Sequence, residues 1–133
     1  MSAVGWEVVE PYCRAPHVVF VASTRPDGAP HVVPIWADTD DGLIRINTTE
    51  GTVKLRNLRR DPRVALAIHV SSDPYLAFAI RGRVVDEITG SRAADHIDAL
   101  SRDYDGGPWP FGEGEREMRV ILRVRPERVV AMS

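Results

Sequence analysis

INTTEGTVKLRNLRRDPRVAL, residues 46–66, changes its periodicity twice. Leu43 to Thr48 (LIRINT) leads into it as a β-branched run and reads as a strand. Thr49-Glu50-Gly51 is a loop. From Thr52 to Arg60 the pattern turns helical: Val53, Leu55 and Leu58 can share an inward face, while Lys54, Arg56, Arg59 and Arg60 stay polar. Thr52 is placed to cap the first turn. Asp61-Pro62 stops the helix, because proline disfavours helical backbone in the residue before it. Arg63 to Val70 (RVALAIHV) returns to strand character. The centre of the chain is therefore strand, short basic helix, strand.

Working outward, the flanks are mostly β. Upstream, His17 to Ser23 (HVVFVAS) is an apolar strand. Arg25-Pro26-Asp27-Gly28 is a turn in which proline presets φ and glycine accepts φ > 0. Ala29 to Ala37 (APHVVPIWA) completes a hairpin. Pro34 lies inside that strand and cannot donate a ladder hydrogen bond, so the strand sits at an edge, at a bulge, or where the chain leaves the sheet. Thr39 to Gly42 is a second turn. Downstream, Tyr75 to Glu87 is a long strand in which Gly82 marks a bulge or a close backbone approach. Thr89 to Tyr104 is a helix, with Ala94, Ile97, Leu100 and Tyr104 on one face and Thr89 or Ser91 as its cap. Asp105 to Gly114 (DGGPWPFGEG) is a loop. Met118 to Val124 alternates as a sixth strand, and Glu127 to Met132 can close the sheet. Residues 1–16 are broken by Pro11 and Pro16, with at most a helical turn around Trp6 to Glu10. The expected fold is mainly β within the α+β class: six or seven antiparallel strands in a barrel or sandwich, one short and one longer helix, in a single domain spanning 1–133.

Composition narrows the function classes. The net charge of −2 provides no global field for nucleic acid. One cysteine, Cys13, forms no internal disulfide and fits a reducing compartment. No apolar run is long enough to span a membrane and no secretory leader is evident, so a cytoplasmic location is expected. His17, His31, His69 and His96 are scattered without paired spacing, so no metal site is expected. The positive charge comprises sixteen arginines and a single lysine, Lys54. A lone lysine is either chance or a place where a compact ammonium is needed.

The strongest chemical signal is Thr48 to Arg60. N–H groups at a helix start lack backbone partners and carry partial positive charge. With the hydroxyls of Thr48, Thr49 and Thr52 and the ammonium of Lys54 they make an anion site suited to phosphate. Taken alone, the same residues also fit a solvated basic helix face. The segment is neither a Walker loop nor a GxGxxG fingerprint.

Three segments together, STRPDGAPHVVPIW (23–36), INTTEGTVKLRNLRRDPRVAL (46–66) and PYLAFAIRGRVV (74–85), resemble the split β-barrel flavin and deazaflavin oxidoreductases. That superfamily includes the pyridoxamine 5′-phosphate oxidases, and the likeness is greatest to its actinobacterial branch using coenzyme F420, a 5-deazaflavin. The resemblance implies a homodimer with cofactor at the interface, F420 or alternatively FMN, and hydride transfer to a small-molecule acceptor with an activated C=C or C=N bond. A carrier or sensor without turnover is the non-enzymatic alternative. The phosphate is then expected on Asn47 to Asn57, with Thr52 and Lys54 as main contacts and Thr48, Thr49 and Arg56 beside them. The ring is expected near Val33, Pro34, Ile35 and Trp36, with Tyr75 and Phe78 approaching it from the same or the partner barrel. Arg56, Arg59, Arg60 and Arg63 are expected to face the anionic oligoglutamate tail of F420. Tyr75 and His31 are the candidate proton donors. The loop 105–114 matches no pattern of the family and is expected to cover a substrate pocket.

Overall fold

Arg63–His69 alternates exposed and buried residue by residue, and this period of two fixes the two faces of the sheet. The computed structural model describes residues 1–132. In chain order its elements are β1 (Ser2–Ala3), α1 (Trp6–Arg14), β2 (Val19–Thr24), β3 (Pro30–Ile35), β4 (Ala37–Asp40), β5 (Leu43–Thr49), α2 (Val53–Arg60), β6 (Arg63–His69), β7 (Ala77–Ile88), α3 (Ser91–Asp105), α4 (Glu113–Glu117) and β8 (Arg119–Ala131). The strands pair antiparallel in the order β3-β2-β6-β7-β8-β5-β4, with β1 beside β8. The sheet curls into a half-barrel. β3 and β4 form its two edges, are not paired with each other, and are joined only through Trp36. That gap splits the barrel.

The inward phase of each strand builds the core. Val19, Val21, Ile44, Ile46, Leu66, Ile68, Ile80, Leu122 and Val124 are all buried. Leu55 and Leu58 of α2 and Val9 and Cys13 of α1 pack into the same cluster. Burial pushes the Cys13 thiol up to about 12, with Glu10 adding to the effect, so it stays protonated and inert. Each fully buried aliphatic side chain contributes roughly 1.5–3 kcal/mol, so α2 is held chiefly by its apolar face. The register fixes the outer face as well. Pro34, Phe20, Ala67, Ala79 and Val130 lie in one row across β3, β2, β6, β7 and β8. Arg63, Arg83 and Arg125 lie in another, two steps further along.

The sequence-based boundaries hold for β2, β5, α2 and β6 to within two residues. Elsewhere the structure differs. The helix expected as a single turn near Trp6 runs to Arg14 with Pro11 inside it. Pro11 is the sixth residue of that helix, so its missing N–H leaves the Glu7 carbonyl without its usual donor. The strand expected over 29–37 breaks at Trp36 and restarts as β4, and the two C-terminal strands form one, β8, of 13 residues. Among the described residues there are four helices rather than two. The longer one is capped by Gly90, at φ 77°, rather than by Thr89 or Ser91. Pro34 is on an edge strand, one of the three alternatives open from sequence. Gly82 sits at a register shift of the β7–β8 pair.

Candidate functional site

The site starts at the β5–α2 turn. The Thr52 hydroxyl accepts the Leu55 N–H (3.3 Å), donates to the Thr49 carbonyl (3.0 Å), and lies 3.1 Å from the Thr48 hydroxyl. Thr52 is the cap expected from sequence. With its own proton on Thr49, Thr48 becomes the donor between the two hydroxyls. Both hydroxyl protons are therefore used within the turn. What the segment still offers an anion is the unpaired N–H groups of the first turn and the Lys54 ammonium.

Lys54 is buried, with 9% of its surface exposed. It makes no hydrogen bond or ion pair among the described residues. Burial, and then the nearby charge of Arg119, lowers its pKa from 10.5 to about 8. A buried cation without a counterion is costly. It persists where something negative binds.

A cavity of about 380 Å³ lies at the β3–β4 junction, lined by Val18, Pro34, Ile35, Trp36, Asn47, Ile97, Leu100, Trp109 and Arg119; Thr48, Thr49, Thr52 and Lys54 do not line it. It brings Pro34, Ile35 and Trp36, expected at the ring, together with Asn47, expected near the phosphate. A polar chain adjoins the cavity and reaches it through Asn47 and Arg119. Arg45 grips Asp38 through two hydrogen bonds (2.8 and 2.7 Å), and Asp38 lies 2.9 Å from His96 Nε2. Asn47 Nδ2 donates to the Ala93 carbonyl (3.0 Å) and meets His96 Nδ1 at 3.1 Å. An amide donor at Nδ1 places the imidazole proton on Nε2, facing Asp38. Burial alone would raise the Asp38 pKa, but the hydrogen bonds from His96 and Arg45, with the Arg45 charge, outweigh it and hold the carboxyl below its usual range. Asn47 Oδ1 then accepts from Arg119 (3.4 Å), and Arg119 pairs with Glu115 (2.5 Å).

Other expected site residues lie apart from this cavity. Asn57 is buried and donates to Ser23 (3.1 Å), which ties α2 to β2. Val33 is half-buried and does not line the cavity. Thr49 contributes its carbonyl to the turn. Phe78 packs on Tyr12 in the core (ring centroids 5.3 Å apart), so a cofactor contact expected of it has no surface to use. Tyr75 is 81% exposed in the turn before β7. His31 faces Ser23 across the β2–β3 pair, and its Nδ1 is buried without a partner. Neither Tyr75 nor His31 lines the cavity. Of the tail arginines, Arg59 is clamped between Glu50 and Glu87, and Arg63 is paired with Asp61. Arg60 donates to the Thr24 carbonyl, and Arg56 is exposed. Arg119, Glu115, Asp38 and His96 were not singled out by sequence. Only the register, which sets Arg119 opposite Thr49, brings them to the site. No group of three metal-ligating side chains occurs among the described residues, and no helix among them is long and apolar enough to cross a membrane.

The family model described as pyridoxamine 5′-phosphate oxidase matches residues 6–133. Among solved structures, one titled F420 reductase is 30% identical, with 91% of this chain and 94% of that chain covered and a TM-score of 0.81. A conserved hypothetical protein from Mycobacterium tuberculosis is 21% identical, covering 96% and 84%, with a TM-score of 0.73. A FAD-binding protein from Mesorhizobium loti is 20% identical, covering 96% and 91%, with a TM-score of 0.68. At these lower identities the likeness is one of fold. No curated protein matches. The chain belongs to the pyridoxamine 5′-phosphate oxidase family, with its split-barrel fold.

Proposed function

We propose that this member of the pyridoxamine 5′-phosphate oxidase family is an oxidoreductase that binds coenzyme F420 and serves hydride transfer to a small-molecule acceptor. The observation that carries the reading is Lys54, a buried ammonium without a counterion beside an open helix start. The 30% identity to a structure titled F420 reductase supports F420 as the first choice of cofactor. FMN is the second, since its phosphate fits the same residues. When bound, the deazaflavin or flavin ring supplies the hydride chemistry. The chain's own residues then have separable tasks. Lys54 and the first-turn N–H groups hold the phosphate. Thr48 and Thr52 shape the turn. Pro34 and Ile35, on the edge strand, and Trp36, just after it, lie where a ring can run along the open side of the half-barrel.

Calorimetric titration with F420 and with FMN tests this directly. One of the two is expected to bind well below 100 µM. Affinity weaker than that for both, under about 5.5 kcal/mol, removes the redox reading. Binding without reduction of any acceptor across a broad panel leaves a carrier or sensor instead.

The homodimer is part of the same proposal. Phe20 is 44% exposed and Val32 61%, with the small side chains of Ala65 and Ala67 exposed beside them. An apolar sheet face of this kind fits a second copy of the chain. Sedimentation is expected to show a dimer that Phe20→Glu converts to monomer. A wild-type monomer at micromolar concentration ends that part of the reading.

A further inference from the structure

The cavity's wall chemistry goes beyond a phosphate and ring site. Its two indoles are fixed from behind. Trp36 stacks on Tyr104 (5.2 Å, 17°), and the Tyr104 hydroxyl is itself anchored to the His17 carbonyl (2.7 Å). Trp109 comes from the 105–114 loop but is held on three sides. Its N–H donates to Asp98 (3.0 Å), its indole N–H donates to Glu115 (2.6 Å), and the Arg119 guanidinium lies 4.6 Å from its ring centroid. The two indoles meet edge to face at 5.9 Å and 87°, making a rigid right-angled corner. The remaining walls, Val18, Pro34, Ile35, Ile97 and Leu100, are apolar.

Polar groups are few. The Asn47 amide is spent on Ala93, His96 and Arg119. Arg119 has five N–H groups, and only two of them have partners, on Asn47 and Glu115. Its Nε is buried without a partner, so the terminal nitrogens are the donors a ligand can reach. Glu115 already balances the guanidinium charge, which favours a neutral acceptor over an anion. At about 380 Å³ the cavity is near the small end of ligand pockets, enough for one or two fused rings.

We propose that the cavity between Trp36, Trp109 and Arg119 is the acceptor pocket, and that it selects a small planar, conjugated carbonyl compound whose oxygen accepts a hydrogen bond from Arg119. The inference rests on the cofactor reading above only for the word acceptor, because the cavity shares Pro34, Ile35 and Trp36 with the place assigned to the ring, against which a hydride acceptor has to lie. The selection itself follows from the corner and the single donor.

Three bicyclic probes of similar size separate the parts: 1-indanone, planar with an oxygen; indane, without the oxygen; and hydrindanone, a saturated ketone that is not flat. Tryptophan fluorescence titration of the full-length protein is expected to rank 1-indanone at least tenfold above both others. Trp109→Ala is expected to lose that binding at least tenfold while Trp109→Phe keeps most of it. Arg119→Met is expected to bring 1-indanone down to the level of indane, and Arg119→Lys to restore part of the difference. Equal binding of the three probes, absence of binding, or indifference to Trp109→Ala overturns the proposal. So does mutual exclusion between 1-indanone and whichever of F420 or FMN binds, since the cavity would then belong to the ring. Failure of both cofactors to bind, with the probe ranking intact, sinks the cofactor reading and leaves the pocket's selectivity standing.

Discussion

Lys54→Met is expected to stabilise the free protein and, at the same time, to weaken its hold on a phosphate-bearing cofactor at least tenfold. The two effects have one cause. The ammonium is buried without a counterion, and its pKa is lowered from 10.5 to about 8. Because the folded value is below the unfolded one, the unfolded chain binds the proton more tightly. The cost of keeping Lys54 charged is thus fully present below pH 8. It fades as pH rises from 8 to 10.5 and is absent above that window. A displacement of this size corresponds to about 3 kcal/mol. Methionine fills a similar volume without the charge, so urea denaturation at pH 7 is expected to show a gain of up to that size, shrinking as pH rises. Anion binding works in the opposite sense. It needs the ammonium, so affinity is expected to fall by up to tenfold per pH unit above 8, and to take up a proton when measured near that pH. Loss of the charged contact costs about 1.5–3 kcal/mol of binding. A residue kept for structure would lower stability when replaced. A stable variant with unchanged cofactor affinity would remove Lys54 from the site.

Gly82→Ala is expected to be the most damaging single methyl group in the sheet. A Cβ at this position would sit 2.5 Å from the Arg125 carbonyl oxygen and 3.0 Å from Val124 Cγ1. The first contact is with backbone, which cannot swing away as a flexible side chain can. Gly82 also lies where the β7–β8 register shifts, between its partners Val64 on one side and Pro126 on the other. Relief requires β8 to move away from β7, and β8 carries Arg119 at its other end. The expected loss is about 3 kcal/mol, on the order of 10 °C in Tm for a domain of this size. Calorimetric melting checks it. A loss under about 1 kcal/mol would mean that the two strands separate easily at the bulge.

Gly82 also illustrates what could be read ahead of the structure. Its place in a strand pattern predicts a close approach, because few other reasons keep glycine there. The turn, helix and cap of residues 48–61 are similarly local. Thr52 caps because a hydroxyl there meets the N–H three residues on, and proline ends the helix by sterics within two residues. The apolar alternation of Arg63–His69 is visible without any partner. The polar chain beside the cavity is different. Asp38 and His96 are 58 residues apart, and Asn47 and Arg119 are 72 apart. Nothing in the spacing of either pair announces a contact. They meet because β5 pairs with β8 and α3 folds over that pair, which is a property of topology. The burial of Phe78 against Tyr12 is hidden from the sequence for the same reason. A period of two says that it alternates with Ala77 and Ala79, but which phase faces inward depends on the curl of the whole sheet.

The open edge of the half-barrel has a consequence for solubility. An unpaired strand invites another chain to extend the sheet, the first step toward aggregation. β3 is such a strand, and it carries Pro30 and Pro34. Prolines are tolerated where the missing N–H would point away from the ladder, and positions 30, 32 and 34 share that phase. The free edge thus offers an incoming strand one backbone donor, Val32, where an ordinary sequence would offer three. Pro34, which also lines the cavity, and Pro30 thus keep that edge from being zipped shut by a neighbour.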